Sequence, residues 1–315
     1  MKSKVRGLPV AIAPLQATII SLLSFSCQVF AADEPALPID GHVALLLQAD
    51  SIDTTSQALN LTLPIADYWA IEGGYSRAEG ETSFSPSSSV SFESNQQSLG
   101  LLYDPGSWSI TLGAMRYEDE EFLQTDQYRL RLGHQGDAFS LSLEAMGRQH
   151  TVQLQTPNQT YRESFESVGL GIDASYLWAN GIRLYGGLQS YDYQQADILD
   201  ADFRQLLGLA LLFPEYADRI MRTYRSLLIQ QQRAEGGLVK QNAFVGLEWQ
   251  WRSELFAVDY YQSTAEIDDA NIATYSLLWS HFLSDDWLLD VSAGISSSDV
   301  GEDSEFASIG IHLFW

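Results

Sequence analysis

Apolar and polar residues alternate with a period of two through most of this chain. LNLTL (59–63) sets Leu59, Leu61 and Leu63 against Asn60 and Thr62. WSITLGAM (108–115), FSLSLEAM (139–146) and VGLGIDASY (168–176) repeat the pattern. A strict period of two puts alternate side chains on opposite faces of an extended strand. Runs of this kind predict about fourteen strands, at 41–50, 56–64, 69–78, 96–104, 108–118, 126–134, 139–150, 164–176, 182–192, 240–251, 255–265, 271–282, 287–298 and 305–315. Connectors after even-numbered runs are tight: PIADY, PGS, QGDA, LWANG, RSE and LSDD. Those after odd-numbered runs read as longer and more acidic, as in 79–94, 119–125 and 299–305. An even strand count with short turns on one rim and longer loops on the other describes a transmembrane β-barrel. The expected fold is therefore all-β, a single antiparallel barrel of about fourteen strands.

The apolar face carries Trp69, Tyr103, Trp108, Tyr128, Phe139, Tyr176, Trp249, Trp251, Tyr275, Trp279 and Trp287. We expect these rings beside the tight turns, as an aromatic girdle at a membrane–water boundary. The chain starts MKSKVRG, continues through an apolar stretch to Cys27, and offers Val29 and Ala31 at cleavage positions, so residues 1–31 read as a secretory signal peptide. Residues 32–315 then form the barrel, and its N- and C-termini share the periplasmic side. Cys27 is the only cysteine, which excludes a disulfide framework and a cysteine-based metal site from the mature chain.

The net charge is −24 over 315 residues. Lys2, Lys4 and Arg6 lie in the leader, which leaves 14 cations against 41 acids. Such an excess argues against nucleic acid as a partner. The polar face supplies the candidate pore-lining residues Glu72, Arg129, Arg131, Glu144, Asp173, Arg183, Glu248, Asp259 and Asp290. Charge at these positions is costly unless it meets water or another charge. Two readings fit: a field across a pore, or an ion-paired wall that holds the barrel's shape. His42 and His312 lie on the first and last strands, which must pair to close a barrel, and they form a candidate lumen pair. No catalytic residues, no metal site and no cofactor are predicted.

One segment breaks the alternation. Residues 195–238 separate the ninth and tenth strands and have helical spacing over 202–213 and 214–233. This predicted helical insertion carries Arg204, Arg219, Arg222, Arg225 and Arg233. It could narrow or gate the lumen, lie on lipopolysaccharide and outer-leaflet lipid, or dock a protein partner.

The last run, FASIGIHLFW, alternates apolar residues and stops on an aromatic. Here the chain resembles the bacterial outer-membrane β-barrel proteins, most of all the monomeric fourteen-stranded porins (OmpG-like). That resemblance implies an outer-membrane location and an assembly signal at Ile311, Leu313 and Trp315 that the barrel assembly machinery reads. It further implies a porin-like channel for small hydrophilic solutes, and the acidic excess adds a preference for cations. The alternative is a non-conducting barrel that acts as a surface interaction or structural protein through its outer loops.

Overall fold

A computed structural model describes residues 39–51, 54–85, 88–119, 123–155, 160–194, 238–266, 271–299 and 303–315. The predicted signal peptide and the helical reading of 202–233, with its five arginines, lie outside the described residues. Fourteen strands follow one another: β1 (His42–Asp50), β2 (Thr54–Ala66), β3 (Trp69–Ser85), β4 (Ser88–Tyr103), β5 (Trp108–Asp119), β6 (Leu123–Gln135) and β7 (Phe139–Gln155) form the first half. The second half is β8 (Thr160–Leu177), β9 (Ile182–Gln194), β10 (Val239–Trp251), β11 (Glu254–Ala265), β12 (Asn271–Phe282), β13 (Trp287–Ser298) and β14 (Ser304–Phe314). Each pairs antiparallel with its sequence neighbours, and β1 pairs with β14 from His42↔Phe314 to Asp50↔Phe306, which closes the barrel. Closure leaves no strand edge with unpaired backbone groups, as a hydrocarbon environment requires. Gly41 and Trp315 extend the seam by exchanging backbone hydrogen bonds of 2.9 and 3.0 Å.

The tight turns and the seam end share one rim. Two of these turns depend on glycine: Gly106 at φ 110° and Gly181 at φ 79° adopt the left-handed backbone that a side chain disfavours. Gly106 N–H is held by Asp104 Oδ1 at 2.8 Å. The opposite rim differs from the expectation of long loops. Residues 79–85 and 88–94 form the far ends of β3 and β4, paired from Glu79↔Glu93 to Ser85↔Ser88. In the same way β7 and β8 run on to Gln155↔Thr160. The backbone ladder continues past the point where apolar residues stop marking the period.

The outward surface is apolar, with Leu99 64 %, Leu170 66 % and Leu277 62 % exposed. A monomeric water-soluble domain does not present a continuous apolar surface on this scale. Trp69, Trp108, Phe139, Tyr176, Trp249, Trp279 and Trp287 lie within four residues of the tight-turn strand ends, as expected. Tyr128 and Tyr275 do not: both are eighth from the tight-turn end of their strands, level with Tyr75 and Tyr260 at seventh. They form a second aromatic belt. With strands tilted about 40° and rising ~3.3 Å per residue, the belts are roughly 15 Å apart along the barrel axis, within the apolar height of a bilayer-spanning barrel. Beyond the tyrosine belt the outward face becomes charged. Arg116 pairs with Asp126 at 2.7 Å and Arg77 with Glu93 at 2.9 Å. The lipid band therefore has an edge on both sides.

Candidate functional site in the barrel lumen

All nine predicted ionisable residues share the inward parity of their strands, and all lie in the half of the barrel nearer the tight turns. Arg183 is second in β9, Glu72 fourth in β3 and Asp290 fourth in β13. Glu144 and Asp259 are sixth in β7 and β11, and Arg129 is seventh from the end of β6. The result is a charged belt around the lumen, with three arginines against six carboxylates.

Most of the belt is paired along the wall rather than across the lumen. Arg131 on β6 donates to Asp173 on β8 at 3.1 Å, reaching past β7, where Ser142 receives a second bond at 3.0 Å and itself donates to Asp173 at 2.9 Å. Arg183 and Glu248 are adjacent on β9 and β10, 3.7 Å apart. Glu144 accepts from Gln189 Nε2 at 3.3 Å. On β9, Tyr185 donates to Asp259 on β11. That bond crosses β10 at Gly246, where a β-carbon would collide with both the ring and the carboxylate. Gly246→Ala is therefore expected to cost about 1–3 kcal/mol by overpacking, read as a lower denaturant midpoint. Tyr185→Phe should cost little more in that background, because the bond is already lost.

At the seam, His42 and His312 meet through Nε2 and Nδ1 at 3.0 Å, and His312 Nε2 reaches Asp290 Oδ2 at 2.8 Å. The His42–His312 bond forms when His42 Nε2 donates to His312 Nδ1, while His312 Nε2 meets Asp290 Oδ2 as a close contact without hydrogen-bond geometry. Phe314 stacks on His42 with centroids 4.7 Å apart. Both His312 ring nitrogens are thus engaged within the wall. Glu72 and Arg129 behave differently from the other charges. No ion pair or hydrogen bond ties either of them to another described residue.

A second layer of inward residues lies nearer the other rim, beyond the nine charges singled out from the sequence. Arg148 donates to Gln127 at 2.5 Å and to Tyr191 Oη at 2.9 Å, and its guanidinium stacks 4.0 Å over the Tyr191 ring. His150 sits between Thr125 Oγ1 and Ser167 Oγ, each at 3.0 Å, and stacks on Phe165 and Tyr193. No carboxylate backs this histidine among its hydrogen bonds, so the Ser–His contact lacks the orienting acid of a hydrolytic triad. These residues border a buried apolar cluster that includes Tyr117, Leu123, Met146 and Val152. Their inward parity was readable from the sequence; their contacts depend on strand register.

No family model matches the chain, and no curated protein matches it in sequence. Solved structures do match in shape. The CymD monoaromatic hydrocarbon channel superposes with TM-score 0.52 at 10% identity, covering 89% of this chain and 89% of that one. The P. putida toluene transporter TodX gives 0.50 at 8% identity, over 90% and 92%. An anion-selective porin from Comamonas acidovorans aligns over 88% and 98% at 11% identity, with a TM-score of 0.42 that carries no weight. These likenesses show the fold alone. It is the closed, up-and-down antiparallel barrel of outer-membrane channels, with fourteen strands in this chain.

Proposed function

We propose that this barrel is an outer-membrane channel for small hydrophilic solutes, with the tight turns and both termini on the periplasmic side. One observation carries the reading: a ring of nine ionisable side chains faces the interior of a closed barrel whose exterior is apolar. Ionised groups in that position require water, counter-ions or each other. The wall pairs satisfy some of them, and the surplus of carboxylates supports a preference for cations. Passage is passive, and the barrel needs no cofactor or catalytic group for it. Ile311, Leu313 and Trp315 on the closing strand would serve as the assembly signal. Lipid and lipopolysaccharide would contact the apolar band and the charged collar above it.

A second reading is favoured by the apolar lumen cluster around Phe165, Tyr191 and Tyr193. It would suit small aromatic hydrocarbons as the passing solute, and the CymD and TodX structures carry such names. Planar-bilayer recording of the purified protein separates the two. Discrete current steps in simple salt are expected of the hydrophilic channel. Folded barrels that stay silent yet carry toluene into vesicles would overturn it in favour of the second.

A further inference from the structure

Glu72 and Arg129 lie on one hydrogen-bonded row across four strands: Glu72↔Gly100↔Gly113↔Arg129. Each leans toward the other over a glycine. A β-carbon at Gly100 would come within 3.2 Å of Glu72 Oε2, and one at Gly113 within 2.8 Å of Arg129 Nε. Paired residues on adjacent strands are about 5 Å apart. The carboxylate and the guanidinium are therefore less than about 11 Å apart, but no ion pair joins them. Between them is a two-residue floor without side chains, with Thr111 on one flank and Met115 on the other.

We infer that this saddle binds a small zwitterion carrying an ammonium and a carboxylate, such as an α-amino acid. The inference rests on the channel reading, because a solute must reach the lumen to bind. Elsewhere in the belt arginines close onto carboxylates; here the opposite charges stand unjoined, each lying over a glycine. The N–Cα–C unit of an amino acid separates its charged ends by about 3 Å. Two charge-assisted hydrogen bonds of roughly 2.8 Å bring the full span to roughly 8–9 Å, which lies within that upper bound. The carboxylate end meets Arg129, which can grip it with two parallel N–H groups. The ammonium end meets Glu72. An anion or a cation alone would find one partner and leave the other charge unanswered, so both ends are needed for retention.

The test is binding of radiolabelled L-alanine to the purified protein in detergent, by scintillation proximity, with propionate and ethylammonium as competitors. Saturable binding is expected, with both competitors at least tenfold weaker than unlabelled L-alanine. Glu72→Gln and Arg129→Gln should each weaken it at least tenfold. The exchange E72R/R129E should restore binding, because a zwitterion can turn round. Absence of alanine binding in wild type, or unchanged affinity in both single variants, overturns the inference. Binding does not require conductance. A protein that conducts but does not hold alanine overturns only the saddle, and one that holds alanine but stays silent overturns only the open channel.

Discussion

Arginine in place of Leu99 should cost the folded barrel roughly 2–4 kcal/mol in a phospholipid bilayer, whereas arginine in place of Ser98, one residue away, should shift stability by only about 0.5 kcal/mol. Leu99 is 64 % exposed on the outer wall between the two aromatic belts. A guanidinium there must leave water or distort the bilayer. Ser98 faces the interior, half-buried, with its Oγ over Gly74. Denaturant titration in lipid vesicles measures both. Equal costs at the two positions would mean that the alternation does not separate lipid from lumen.

His312→Leu should destabilise the barrel by about 3–5 kcal/mol, because it leaves Asp290 buried without its partner. The two side chains are only 4% and 6% exposed, and they tie β13 to the closing strand. His42 loses its acceptor in the same variant. Adding Asp290→Leu should recover most of the loss, since the penalty belongs to the orphaned carboxylate rather than to a missing contact. This is a double-mutant cycle, and its coupling term is the quantity to read. Additive losses would show that His312 and Asp290 act independently.

Much of the fold was legible in the sequence because lipid imposes a sharp contrast. Where one strand face meets acyl chains and the other meets the lumen, as in Trp108–Ala114, the period of two is unmistakable. Above the tyrosine belt the outward face turns polar as well, and the contrast disappears while the backbone ladder continues. That is why 79–94 read as a loop although β3 and β4 pair out to Ser85↔Ser88. Height was equally hidden. Parity put Tyr128 and Tyr275 on the outer face, but only the register assigns them to the far belt.

The same distinction governs the lumen. Parity selected the nine inward charges, but partners depend on how far each strand is shifted against the next. Arg131 reaches Asp173 two strands away, and Tyr185 reaches Asp259 over Gly246. Neither pairing follows from spacing along the chain. Glycines of inward parity beside a long polar residue are the signal to look for, and Gly100, Gly113 and Gly246 all fit it.

The central claim is a water-filled lumen whose surplus carboxylates select cations. Its most direct test is the reversal potential of single channels of the purified protein in a planar bilayer under a tenfold gradient of potassium chloride. We predict discrete conductance steps and a reversal potential of the sign that marks potassium as the more permeant ion, shifting toward zero in Glu248→Gln/Asp259→Asn. A silent bilayer from folded protein, or a potential of the chloride sign, would contradict the account.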